Sequence, residues 1–274
     1  SAYYLYEQIL PNKTSFRGLM GLVSVDDFWD GKIKKHESTI TERRMKMAHY
    51  LEKVGVQAEP VLLTYHSNSK VELLMNHEQK NVPIINYTDD KGVRHKIWRI
   101  DNRLKLQQFK EVLDPIDSFY IADGHHRIGS VAEYAKKQRD KYKKCHGTEH
   151  YNFVYSFIVS NQSIKINDYN RLLKDLNNLS EEEFLHRLND YFQIHDKGEA
   201  PYFPSQKFHI SMYLGGKFYS LHVKHSIREE HKNDNDLDHH LVNKYIFENI
   251  LGIENAKHTD KIIYQKGTSD IKGI

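Results

Sequence analysis

The sequence predicts an α+β fold, a mixed sheet with hairpins and short helices followed by a second α+β segment. Three observations carry this. Alternating apolar and polar residues flank short turn signals at three places, as hairpins require. Apolar stripes at helical spacing recur, two of them behind capping-box spacing. Strands and helices are interleaved throughout without the regular strand–helix alternation of a doubly wound parallel sheet.

Residues 3–10 and 18–26 read as two strands around the polar turn 11–15, with Gly21, Val23 and Val25 alternating against polar neighbours. Thr39 to Glu42 has capping-box spacing, and the following helix places Met45, Ala48, Leu51 and Val54 on one stripe until Gly55. After Pro60 the run Val61-Leu62-Leu63-Thr64-Tyr65 is a buried strand, followed by a short helix around residues 71–76. Residues 83–87 and 95–100 flank Asp89-Asp90-Lys91-Gly92, a second hairpin signal. Phe119 to Ala122 is a short apolar strand running into Asp123-Gly124, and Ile128, Val131, Ala132 and Ala135 mark the helix behind it.

The polar stretch 136–150 is the best internal boundary, giving expected domains 1–145 and 146–274. Beyond it come a nine-residue strand at 151–159 and a helix from Ser180, capped by Glu183 and carrying Phe184, Leu185, Leu188 and Phe192. A hairpin at 208–214 and 217–223 turns through Gly215-Gly216, a helix covers 237–250, and a last strand covers 261–265. The charged, Asn-rich stretch 228–236 is a linker.

Composition narrows the function classes. Forty Lys and Arg against 37 Asp and Glu leave a formal charge of +3, so no global field marks a nucleic-acid or membrane binder and any anion site must be local. Eighteen Tyr and twelve Phe imply a core built on aromatic strands. A single cysteine, Cys145, excludes an internal disulfide framework and fits a reducing compartment, with cytoplasm the expectation. No run approaches the roughly 18 apolar residues of a membrane span. The chain opens on Ser1-Ala2 rather than Met, which suggests a trimmed or partial sequence.

The segment Asp123-Gly124-His125-His126-Arg127 is where chemistry is expected. A strand that turns through glycine into a helix aims unpaired N–H groups and the positive dipole end at one spot, and Gly124 lets that backbone approach a ligand closely. His125, His126 and Arg127 add imidazole donors and a forked guanidinium in the first turn, which suits phosphate oxygens. Asp123 could cap the helix, orient a histidine or hold Mg²⁺, and spacing does not choose among these. A transition-metal pair on a helix sits at i, i+4, whereas these histidines are neighbours, so no metal ligands are assigned.

A second constellation, Lys34-Lys35-His36-Glu37, precedes the helix at 41–54. Glu37 near a helix N-terminus is stabilised by the dipole without any function, yet a carboxylate within reach of a phosphate site is also a natural base for a hydroxyl nucleophile. Asp168-Tyr169-Asn170-Arg171 offers a third group, in which Arg171 could pair a substrate carboxylate or close a surface salt bridge. The pair His239-His240 follows Asp238 at a helix start and reads as a solvated face.

These segments, Ile33 to Glu37, Ile121 to Arg127, Asp168 to Arg171 with Lys174-Asp175-Leu176-Asn177, and Met212-Tyr213-Leu214, resemble in order those of domain-of-unknown-function family 1015. The resemblance covers nearly the whole chain. Against that family the sequence looks truncated, lacking a leading segment and stopping at residues 267–274, where relatives continue. The His-Glu before one helix and the Asp-Gly-His-His-Arg turn are also similar to the ParB and sulfiredoxin-like superfamily, and within it to the free serine kinases.

That resemblance implies a ParB/sulfiredoxin-like nucleotide-binding core and a kinase using ATP or ADP with Mg²⁺ to phosphorylate free L-serine or a similar hydroxylated amino acid. By it, Asp123, Gly124, His125, His126 and Arg127 match the phosphate-binding turn, Glu37 matches the acid that activates the serine hydroxyl, and His36 and Arg171 stand as substrate contacts. Relatives encoded beside enzymes of phosphoserine-linked serine synthesis point the same way. The alternative is a non-catalytic nucleotide-binding switch or DNA-associated module of the ParB type, against which the missing basic stripe counts.

Overall fold

The computed structural model describes residues 2–36, 39–143, 146–165, 169–231, 237–254, 256 and 259–266. Strand β1 (Tyr3–Ile9) and strand β2 (Ser15–Ser24) form the first hairpin, with Leu5 opposite Leu19 and both side chains buried. The second strand begins earlier than its alternation suggested. Its register places Gly18 beneath β8 (Phe153–Ser160), where an added Cβ would stand 2.3 Å from the Ile158 carbonyl oxygen, so glycine is needed for that close approach.

A short helix α1 (Val25–Trp29), capped by Ser24, leads to the two-residue strand β3 (Ile33–Lys34). Helix α2 (Thr41–Val54) ends at Gly55, whose left-handed φ of 71° closes it as the sequence foretold. Its start differs. Ile40 stands at the N-cap with no side-chain cap bond, so the expected capping box does not form and the Thr39 hydroxyl accepts from Arg44 instead. Only Ala48 of the expected stripe is buried, with Met45 and Val54 exposed, so α2 is a peripheral helix.

Strand β4 (Val61–Tyr65) alternates buried and half-buried, and α3 (Ser69–Glu78) begins on an Asn68 cap. Strands β5 (Ile85–Thr88) and β6 (Arg94–Ile100) form the second hairpin. Helix α4 (Arg103–Leu113), unassigned from sequence, starts at Asn102, whose side chain accepts from two backbone N–H groups, and it buries Phe109. Strand β7 (Phe119–Asp123) then turns through Gly124 into α5 (His125–Lys141).

Eight strands make one mixed sheet in the order β3-β7-β4-β8-β2-β1-β6-β5, parallel between β3 and β7 and between β4 and β8, antiparallel elsewhere. The core on it joins Leu5, Leu19, Leu63, Ile121 and Val154 to Phe109 of α4 and Ile128 of α5. The chain divides into the compact units Ser1–Lys165 and Ile166–Ile274 rather than after residue 145. The reason is β8, which lies beyond the polar stretch yet pairs with both β2 and β4 inside the large sheet.

In the second unit β9 (Tyr169–Leu173) pairs with β13 (Ile262–Lys266). Helix α6 (Glu181–Leu188) carries the expected Ser180–Glu183 capping box. Phe192, expected on that helix, instead opens β10 (Phe192–Gly198), which joins the hairpin β11 (His209–Leu214) and β12 (Lys217–Val223) in the order β10-β12-β11. Helix α7 (His225–Glu230) follows, then α8 (Asp238–Leu241), which continues as π-helical turns through Val242–Glu248. Phe184, Leu188, Phe192, Leu221, Tyr245 and Phe247 centre this unit's own core. No helix among the described residues is long and apolar enough to cross a membrane.

Three histidines meet on the small sheet, with the His209 and His222 rings stacked at 3.8 Å and His195 at 4.8 Å from His222. Burial first, then the neighbouring charges of His209, His195, Arg228 and Lys197, holds the His222 imidazole below its ordinary 6.5. The unfolded chain therefore takes up this proton at higher pH than the folded one. The neutral ring's contribution to stability is complete above pH 6.5 and is lost as pH falls through the depressed folded value. Thermal melts between about pH 7.5 and about pH 5.5 are expected to show the parent chain losing more stability than His222→Gln, and parallel losses in the two proteins would remove this group as the source.

Candidate active site

The topology of the large sheet assembles the site from three strand ends. Parallel pairing sets Ile33 opposite Phe119 and Lys34 opposite Tyr120, so the chain leaving β3 reaches the end of β7 where Asp123 and Gly124 lie. Strand β4 runs the other way and starts there, with Leu62 opposite Asp123. Lys35 and His36, the β7–α5 turn, and Glu59 and Pro60 consequently share one edge.

At the turn, Gly124 occupies the N-cap of α5 with φ of 97° and makes no side-chain cap bond. A side chain is excluded twice over. The left-handed conformation strains any L-residue, and a Cβ would lie 3.2 Å from Arg127 Cζ. Gly124→Ala is expected to cost about 1–2 kcal/mol in urea-melt stability, and an unchanged midpoint would show that the turn relaxes freely.

Asp123 is not the cap. Its carboxylate accepts from Arg127 Nη2, while Arg127 Nη1 donates to the Pro60 carbonyl and Nε lies 3.7 Å from the Glu59 carboxylate. The Arg127 fork thus ties the start of β4 to the end of β7. About a quarter of the side chain remains exposed, at 26 %.

His125 points to the other side of the helix. It is buried at 5 % exposure, and its ring meets the exposed His36 ring edge-on at 4.4 Å. His125 also lines a small cavity of about 140 Å³ with Phe28, Lys35, Thr39, Arg44, Ile121 and Gly129. The His126 carbonyl accepts from the Ser130 hydroxyl at 2.6 Å one turn on. A larger groove of about 420 Å³ runs along α2 and α5, but Lys137 and Glu52 pair at 2.6 Å among its lining residues and it includes no residue of the turn.

Arg44 was not singled out from sequence. It enters from the start of α2 and crosses α5 over Gly129, where an added Cβ would stand 2.8 Å from Arg44 Cδ. Its Nη1 donates to Thr39 Oγ1 at 3.1 Å and its Nη2 lies 3.4 Å from Glu133 Oε1. The Gly129 notch is the only sequence signal for it, and a glycine inside a helix does not name its partner.

Glu37 lies outside the described residues, as do Cys145, Asp168 and residues 267–274. In sequence Glu37 stands two residues from Lys35 and two from Thr39, both of which line the cavity. Arg171 belongs to the second unit, where its guanidinium lies over the Tyr264 ring at 5.6 Å. No group of three or more His, Cys, Asp or Glu suited to a metal ion occurs among the described residues.

The edge thus presents the α5 helix mouth, with no acidic residue in its first turn and Arg127 held there by Asp123, while Lys35, Arg44 and His125 line the small cavity beside it. Such a mouth is suited to an oxyanion. No curated protein and no solved structure matches the chain. A family model does, over residues 1–243, and by that match the chain belongs to the DUF1015 family of proteins of unknown function.

Proposed function

We propose that this protein is a small-molecule kinase that moves a phosphoryl group from ATP or ADP, with Mg²⁺, to the hydroxyl of free L-serine or a similar amino acid, on a ParB/sulfiredoxin-like core. One observation carries the reading. A helix mouth with no acidic residue in its first turn and a small cavity lined by Lys35, Arg44 and His125 lie in one unit, and His125, the first residue of that helix, belongs to both. Two neighbouring anion sites of unequal size are what a phosphoryl donor and a small acceptor need.

The residues fit a nucleotide's phosphates. Gly124 caps the helix with no side chain over its N-terminus, and Arg127 is a forked donor with part of its side chain in solvent. Mg²⁺, when bound, would supply neutralisation of the charge on the phosphates, and the exposed Asp123 carboxylate would help to hold it.

Arg127 must exchange Asp123 for phosphate when nucleotide enters, which makes the Arg127–Asp123 pair a latch. His125, with His36 against it, orients the acceptor. Glu37 takes the hydroxyl proton as the acceptor oxygen bonds to phosphorus and the nucleotide oxygen leaves with its electron pair. Catalysis is then mainly positioning and charge neutralisation.

The latch also favours a second reading, a nucleotide-binding switch of the ParB type in which opening the pair is itself the output. Purified protein with ATP or ADP, Mg²⁺ and a panel of hydroxylated amino acids, followed by mass spectrometry, separates the two. Phosphorylated amino acid supports the kinase. Saturable nucleotide binding with no product from any acceptor leaves the switch.

A further inference from the structure

The cavity beside the turn has a chemistry of its own. Two permanent cations, Lys35 and Arg44, share it with His125, and the other described lining residues, Phe28, Thr39, Ile121 and Gly129, bring no carboxylate. The nearest described anion is Glu133, 3.4 Å from Arg44 Nη2 and itself partly exposed. Arg44 Nε is buried and makes no hydrogen bond to any described group. A buried guanidinium N–H without an acceptor is costly unless a ligand supplies one.

The arginine is also held in place. Thr39 and Glu133 each engage one terminal nitrogen, and Gly129 provides the notch its stem crosses. A fixed guanidinium beside a pocket that Phe28 and Ile121 also line is preorganised for a planar oxyanion.

Size decides which one. Pockets for drug-sized ligands run to about 300–1,000 Å³, and a nucleotide belongs to that class, whereas this cavity measures about 140 Å³. It has room for one small charged end. We infer that Arg44, with Lys35, binds the carboxylate of the acceptor, making the protein selective for hydroxy acids and amino acids over carboxylate-free alcohols. This rests on the kinase reading for the word acceptor, but the binding site itself does not depend on turnover. It also assigns carboxylate recognition to the first unit rather than to Arg171.

Calorimetry on the full chain with L-serine, L-serinamide, ethanolamine and inorganic phosphate tests it, alongside Arg44→Gln and Gly129→Ala. L-Serine is expected to bind the parent chain more tightly than L-serinamide or ethanolamine by about 10-fold, and Arg44→Gln is expected to erase that preference while leaving nucleotide affinity unchanged. Gly129→Ala retains the charge but displaces the Arg44 stem, so it is expected to reduce the preference with the guanidinium still present. Thermal melts of both variants distinguish a lost ligand contact from a loosened α2.

Undiminished L-serine preference in Arg44→Gln overturns the assignment, as does a parent chain with no preference for the carboxylate. If Arg44→Gln instead weakens phosphate and nucleotide together, the cavity is part of the phosphate site and the inference fails. Carboxylate-selective binding without phosphorylated product leaves the site standing and removes only the kinase reading.

Discussion

Glu37→Gln is expected to bind nucleotide nearly as the parent chain does while losing about 10²-fold or more in turnover. The asymmetry follows from what a base does. A carboxylate that takes the acceptor's proton acts in the transition state and makes no contact with the nucleotide's phosphates, so exchanging it for an isosteric amide removes basicity without removing a phosphate ligand. Its sequence neighbours support the assignment, since Lys35 and Thr39, two residues before and after it, both line the cavity assigned to the acceptor. Calorimetry for binding and a product assay for turnover measure the two halves separately. A Glu37→Gln protein that forms phosphoserine undiminished removes Glu37 from the mechanism, whereas parallel loss of binding and turnover makes it a structural residue of the helix mouth.

How much of this was legible in the sequence depended on how local the cause was. Gly55, the Ser180–Glu183 box and the strand–Gly124–helix turn are set by residues within a turn of one another, and each occurs as expected. Phe192 was misplaced because it continues the four-residue spacing of Phe184 and Leu188, while the break lies in the polar residues Asn189 and Asp190. Helix α4 starts on the good cap Asn102, but only Phe109 of its apolar residues is fully buried, with Leu106, Val112 and Leu113 partly buried, so its stripe is hard to read. Leu104 is exposed.

Nonlocal pairing hid the rest. Nothing near residues 153–160 says that this strand inserts between β2 and β4, so the polar stretch before it reads as a domain boundary. The site divides along the same line. Asp123 to Arg127 could be read as one anion-binding motif, but that Arg127 meets the start of β4 while His125 lines the cavity by α2 depends on how the helix packs. Arg44 depends wholly on the packing of α2 on α5.

Arg127→Ala carries the test that separates a phosphate ligand from a structural clamp. Removing a forked, charge-assisted contact to phosphate costs about 1.5–3 kcal/mol, so nucleotide affinity is expected to fall by roughly 10-fold to 100-fold with no acceptor present. The same substitution deletes the donors to the Pro60 carbonyl and the Asp123 carboxylate, so some loss of stability is expected beside it. Two companions divide these effects. Arg127→Lys keeps the charge but not the fork, and should recover part of the affinity. Asp123→Asn, measured without Mg²⁺, weakens the latch while leaving the forked phosphate donor in place, so it should leave affinity equal to the parent's or raise it, because the guanidinium no longer has to break an ion pair before meeting phosphate. If Arg127→Ala loses stability and binds nucleotide normally, the guanidinium serves only to fasten β4 to β7, and the phosphate-binding role of the whole turn falls with it.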